Sequence, residues 1–309
     1  MATVHVPILV GPMIEALVTP LLNLTADAES HWIVDCTLGG GGHTAALLKR
    51  LSERRELQKH KILAVDRDPS AVVAARTRFA REISEGRLQV IQSRMSELVD
   101  WVAEHPVMGL MADLGFSSDQ IESGERGLSF MKEGPLDMRL NPEEGQSCRE
   151  FLAVVRELDL VKILREYGEE RFAGRIAGAI IKSRREKNLP KTTSELAHLI
   201  TRAVPPAARH GRIHAATRTF QALRIAVNDE LEELDSLLER VILRVKIGGC
   251  IAILSFHSLE DRKVKFGFRV NGLEPTTKKP IEPSEEEVRI NPRARSAKLR
   301  LAIRVEENT

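Results

Sequence analysis

Short apolar runs alternate with segments of helical spacing over the first third of the chain. The run at 32–34 ends at Asp35 and enters a glycine-rich stretch, and a helical pattern follows from His43. A second run, 62–65, ends at Asp66; Asp68 and Pro69 then supply an N-cap and a first-turn proline for a helix over 70–81. A third strand is predicted at 88–91, a short helix at 98–103 and a fourth strand at 108–112, closing at Asp113. Alternation of this kind predicts a parallel sheet.

From 119 the strand pattern stops. A loop-rich stretch to 145 leads into helices, with capping boxes at Ser147 and Glu150 and at Thr192 and Glu195, and helical spacing of Phe172, Ile176 and Ile180 over 169–187. After Pro205 and Pro206, the apolar positions Phe220, Leu223, Val227, Leu231, Leu234, Leu238 and Ile242 step by three or four, which predicts one long amphipathic helix ended by Gly248 and Gly249. Strand-like runs resume at 251–254 and 299–305, while 274–287, rich in Pro, Lys and Glu, reads as a mobile surface loop. The expected architecture is an α/β doubly wound sheet divided as 1–118 and 219–309, with a mostly helical insertion, 119–218, between its halves.

Composition narrows the class. Of 309 residues, 42% are hydrophobic and 29% charged, as in a soluble globular protein. No run approaches the ~20 apolar residues of a membrane span, and the N-terminus has no leader pattern, so no membrane partner is expected. Cys36, Cys148 and Cys250 are too scattered for a disulfide framework or a cysteine metal site, and a reducing cytoplasm is the expected compartment. A net charge of +2 announces nothing, but cations gather at 182–191, 202–224 and 289–300. Any one run can be a solvated face; three together point to a polyanion.

Candidate chemistry lies at the strand ends. Asp35-Cys36-Thr37-Leu38-Gly39-Gly40-Gly41-Gly42-His43 follows the first strand, where an open parallel sheet binds its ligand. Thr44 breaks the GxGxxG pattern of a dehydrogenase, and His43 stands where a phosphate-binding loop needs Lys-Ser or Lys-Thr. An acid followed by a glycine turn suits a ligand with an adenosine and a charged amino-acid tail, above all S-adenosylmethionine, although a tight turn alone also demands glycine. Asp66, 25 residues after Gly41, stands where an acid takes ribose hydroxyls, and Asp68 is the structural cap. Asp113, with Phe116 nearby, can accept the N–H of an exocyclic amine while an aromatic ring holds its base; the alternative is a loop cap. Ser255-Phe256-His257-Ser258-Leu259-Glu260 contains neither GxSxG nor HExxH, and His257 reads as a structural or substrate-contact residue, not a metal ligand.

Assembled in order, these residues carry a resemblance. His5-Val6-Pro7, the glycine loop, Asp66-Arg67-Asp68-Pro69, Asp113-Leu114-Gly115-Phe116, Arg126-Gly127-Leu128, Tyr167-Gly168-Glu169-Glu170-Arg171, Thr217-Arg218-Thr219-Phe220, Ser255-Phe256-His257 and Asn291-Pro292-Arg293-Ala294-Arg295-Ser296 match blocks spread over nearly the whole chain. The chain thus resembles the ribosomal RNA small-subunit methyltransferase H family, which methylates the N4 of a cytosine. The resemblance implies a Rossmann-like methyltransferase sheet with a helical, substrate-recognising insertion. It implies S-adenosylmethionine bound at Gly41, Gly42, His43, Asp66, Asp113 and Gln120, with Met95 where the family usually has phenylalanine near the adenine. Asp113 and Phe116 are the candidates for the chemistry. The expected partner is small-subunit ribosomal RNA or the small ribosomal subunit, with Arg218, Arg224, His257, Arg293, Arg295 and Lys298 as candidate RNA contacts. A binding protein that kept the pocket without turnover would carry the same residues.

Overall fold

The computed structural model describes residues 7–25, 29–116, 124–209, 213–270 and 272–306. Two compact units make up the chain, one formed by Met1–Ser117 with Leu231–Thr309 and the other by Ser118–Glu230.

In the first unit, seven strands, β1 (Trp32–Asp35), β2 (Lys61–Asp66), β3 (Leu88–Gln92), β4 (Val107–Asp113), β5 (Cys250–Ser255), β6 (Leu273–Pro275) and β7 (Lys298–Arg304), lie in the order β3-β2-β1-β4-β5-β7-β6. The first five pair in parallel, and β7 runs antiparallel between β5 and β6. Strand order reverses between β1 and β4, so a crevice opens at their carboxyl ends, where Asp35 and Asp113 stand. Layers on both faces explain the unbroken apolar runs: six consecutive residues of β4 are buried. A helix absent from the expected pattern, α1 (Val10–Leu22), buries Met13, Leu17, Val18 and Leu21. Their spacing of three and four was the available signal, partly masked by Pro12 and Pro20. Leu17 closes onto Gly109 of β4, where a Cβ would lie 3.2 Å from both Leu17 and Ile33.

Five helices, Cys148–Val154, Glu157–Glu166, Ala173–Arg185, Thr193–Ala203 and Thr217–Asn228, surround the core of the second unit. Ser147 and Glu150 form the expected capping box. Thr192 accepts from the Glu195 N–H at 3.2 Å, whereas the Glu195 carboxylate takes the N–H of Lys191 at 2.6 Å.

Two expectations change. The long helix breaks at Asp229, whose φ of 52° is left-handed, and the unit boundary follows at Glu230–Leu231 in place of 218. Phe220 and Leu223 belong to the second unit's core, Leu234 and Leu238 to a core of the first. Because the apolar step of three or four continues across the break, periodicity could not reveal it. The segment 274–287 is also built into the fold: Ile281 exchanges two backbone hydrogen bonds with Leu299, and Ser284 caps a helix, Glu285–Ile290. All three cysteines are buried and free, and no helix among the described residues is long and apolar enough to cross a membrane.

Candidate active site

The crevice is built on the loop between β1 and the helix α2 (Gly42–Ser52). Asp35 is buried, and its two carboxylate oxygens accept the Thr37 N–H at 3.1 Å and the Thr44 hydroxyl at 2.6 Å. Burial raises its pKa, and these internal bonds make it the fastening of the loop, not a ligand group. Gly41 has φ +72°, and a Cβ there would sit 2.8 Å from the Phe79 ring; on Gly42 it would sit 2.9 Å from Pro7. Only glycine lets this chain turn so tightly into α2. No side chain caps α2, so the first-turn N–H groups, His43 among them, are left for a ligand or solvent. His43 is itself buried, with Nε2 3.1 Å from the Ile8 carbonyl.

Asp66, half-buried at the end of β2, accepts the Gly39 N–H at 2.7 Å on Oδ2 and the Asp68 N–H at 2.8 Å on Oδ1. Burial pushes its pKa up to about 6, against the lowering effect of those two bonds. Each oxygen keeps a second lone pair, so a vicinal diol can still donate to both. Asp68 has the structural role expected of it, accepting the Ser70 N–H at 2.9 Å. Met95 opens the short turn Met95–Leu98 and packs, partly exposed, beside the core.

Asp113 ends β4 with its side chain 19% exposed. Its N–H donates to the Thr37 hydroxyl at 2.6 Å, its Oδ1 accepts the Gly115 N–H at 3.0 Å, and its Oδ2 lies 3.5 Å from Nδ1 of His43. Phe116 follows, half-buried. A second aromatic escaped the sequence reading: a Cβ on Gly115 would lie 2.6 Å from Cε2 of Phe256, so this ring rests on the backbone beside Asp113. The signal was its position one residue beyond β5, the strand next to β4. Thr37 was also missed, although the strand-end Asp35 marks an Asx turn that closes on the Thr37 N–H. His257, by contrast, is tied to the first turn of the following helix, its Nδ1 accepting the Glu260 N–H at 3.4 Å, with Nε2 near the buried Glu260 carboxylate.

Donor chemistry in the crevice fits S-adenosylmethionine. Asp66 offers acceptors for a ribose, the uncapped first turn of α2 suits a carboxylate, and the glycine loop leaves no side chain in the way. Gln120 lies outside the described residues. Among the candidate RNA contacts, Arg293 and Arg295 are exposed on the turn Pro292–Ser296, and Lys298 lies 3.5 Å from Asp261. In the second unit, exposed Arg218 donates to the Glu169 carbonyl at 3.3 Å. Arg224, largely buried, donates twice to Glu230 at 2.8 Å, a paired charge inside the unit.

The model of the MraW methylase family matches residues 2–305. A ribosomal RNA small subunit methyltransferase H of Prochlorococcus marinus (strain MIT 9303) is 43% identical over 295 residues, covering 95% of this chain and 92% of that protein. Proteins of the same name from Hydrogenovibrio crunogenus and Synechococcus sp. (strain JA-3-3Ab) are 44% and 48% identical over 293 and 285 residues. They cover 88% of this chain each, and 90% and 88% of their own lengths.

Proposed function

The chain belongs to the MraW methylase family, and from that premise we propose that it methylates the N4 amino group of a cytosine in small-subunit ribosomal RNA, using S-adenosylmethionine. Asp66 would hold the ribose, the first turn of α2 at Gly41, Gly42 and His43 the amino-acid tail, Met95 the adenine edge, and Asp113 the neighbourhood of the sulfonium. When bound, S-adenosylmethionine supplies an electrophilic methyl group.

The observation that carries this reading is the setting of Asp113. Its backbone is anchored to the loop after β1 through Thr37, while its carboxylate stays partly open, with the Phe256 ring against Gly115 and half-buried Phe116 three residues on. The lone pair of a cytosine amine is delocalised into the ring. A carboxylate accepting one amino N–H turns the nitrogen toward the donor and stabilises the positive charge it gains. The two aromatic rings favour a base extruded from its stack. The RNA backbone would be gripped by exposed cations such as Arg293 and Arg295, which position the strand without reading its sequence. The substrate, free RNA or the small ribosomal subunit, places the reaction in the cytoplasm.

Nucleoside mass spectrometry after incubating the protein with small-subunit ribosomal RNA or small subunits and S-adenosylmethionine tests the reading. The expected product is N4-methylated cytosine. Asp113→Asn, which keeps the shape but puts a donor where an acceptor is needed, should slow single-turnover methylation by ~10²-fold or more. A near-parental rate would remove Asp113 from the chemistry.

A further inference from the structure

A second concave site lies at the sheet edge of the first unit. It has a volume of about 420 Å³ and four cationic lining residues: Lys265 and Arg269 on the helix Ser258–Val270, Lys278 in the turn after β6, and Arg300 on β7. No carboxylate lines it among the described residues. Of the four, Arg300 is paired, Asp261 taking both it and Lys298, and nearby Lys263 pairs with Asp235 at 2.6 Å. Lys265, Arg269 and Lys278 are exposed and form no ion pair among the described residues.

This arrangement differs from an ordinary solvated face in being concave and held. Thr276 donates its N–H to the Leu301 carbonyl at 3.0 Å and the Thr277 hydroxyl donates to the Lys279 carbonyl at 2.5 Å, fixing the turn that carries Lys278. Asp261 accepts from Nε and Nη2 of Arg300, which orients that guanidinium. Like charges brought together around one hollow repel each other unless an anion fills it. The ring of Phe268 is only 2% exposed, so the pocket presents no aromatic face to stack a base. Its chemistry therefore fits a chain of phosphates and not a nucleobase.

Position identifies the anion. On the β5–β7 ladder, Lys298 pairs with Ser255 at the crevice end and Leu301 with Ala252, a separation of about 10 Å at ~3.3 Å per residue. A strand whose target base enters the crevice reaches the pocket within a few nucleotides. We propose that this pocket holds the phosphodiester backbone of the ribosomal RNA beside the target nucleotide. The proposal rests on the RNA reading above and adds three cations, Lys265, Arg269 and Lys278, that lie outside all three basic runs of the sequence.

The test compares the parent with Lys265→Glu/Arg269→Glu and with Lys278→Glu on deproteinised small-subunit ribosomal RNA. The double variant should bind the RNA at least tenfold more weakly near 0.1 M salt, and its log–log salt dependence should be shallower by about two. S-adenosylmethionine affinity and the single-turnover rate at saturating RNA should stay parental, because none of these residues lines the crevice. Lys265→Gln/Arg269→Gln, which introduces no repulsion, should shift affinity and slope in the same direction and guards against misfolding of the charge reversal. If the parent methylates the RNA and both double variants match it in affinity and salt slope, the pocket proposal is overturned alone. A parent with no affinity for the RNA overturns the RNA reading and the pocket with it.

Discussion

The Thr37 hydroxyl accepts the backbone N–H of Asp113 at 2.6 Å, joining the glycine loop after β1 to the acid at the end of β4. The peptide carrying the carboxylate proposed to bind the amine is thereby held from the loop proposed to hold the cofactor. Thr37→Val keeps the volume but leaves that N–H without its acceptor, at a cost of about 1–3 kcal/mol. We expect a folded protein with a modestly lower Tm and single-turnover methylation reduced by roughly tenfold, restored by Thr37→Ser. Thermal melts together with the rate at saturating donor and RNA separate this positioning effect from simple loss of stability.

Contact between Gly115 and Phe256 leads to a coupled prediction. A methyl group on Gly115 would meet the Phe256 ring at 2.6–2.8 Å and Oδ1 of Asp113 at 3.0 Å. Gly115→Ala must therefore move the ring or the carboxylate, and methylation should fall by an order of magnitude or more. Phe256→Leu in the same chain makes room and should recover part of the stability lost. A double-mutant cycle read by denaturation checks it: strict additivity would mean that the two side chains do not compete for space.

The pKa of Asp66, pushed up by burial to about 6, makes cofactor affinity depend on pH. In the proposed ribose role, the hydroxyls donate to the ionised carboxylate, so binding favours the deprotonated form. Affinity for S-adenosylmethionine should be flat above neutrality and about tenfold weaker near pH 5, with proton release on binding near pH 6. Asp66→Asn should bind weakly at every pH. Calorimetry in buffers of different ionisation enthalpy measures the released proton.

Acid stability involves a different pair. His31 donates its N–H to Nδ1 of His60 at 3.1 Å, and burial, then His31 and Lys59, lower the His60 pKa from 6.5 to about 4. Between those values the unfolded chain binds a proton that the folded chain refuses. This contribution to stability is therefore present above pH ~6.5 and is lost as pH falls toward 4, up to about 3 kcal/mol. Asp66 acts in the opposite sense: its folded pKa is raised, so stability falls as pH rises from 3.8 to about 6. His60→Asn, whose side-chain carbonyl can still accept the His31 N–H, should flatten the acid limb without affecting methylation. Denaturant midpoints from pH 7 to 4 decide it.

The local chemistry of the site was legible in the sequence. Acids at the ends of β1, β2 and β4, the glycine turn, and the caps at Asp68 and Ser147 are written in adjacent residues, because strand ends, tight turns and helix starts are satisfied by neighbours. What tertiary structure alone decided is which distant groups meet. The hydroxyl of Thr37 finds Asp113, 76 residues away, only because β4 lies next to β1 in the sheet. Phe256 rests on Gly115 because β5 lies beside β4, and Lys265, Arg269 and Lys278 surround one hollow because a helix, a turn and β7 pack together. The same physics made Arg224 half of an internal ion pair and, against expectation, divided the long helix at Asp229 while its apolar spacing continued unbroken. Periodicity records that a residue is buried. It does not record against what, since burial stabilises an apolar side chain without regard to partner, whereas hydrogen bonds and charges depend on the geometry that only the folded chain supplies.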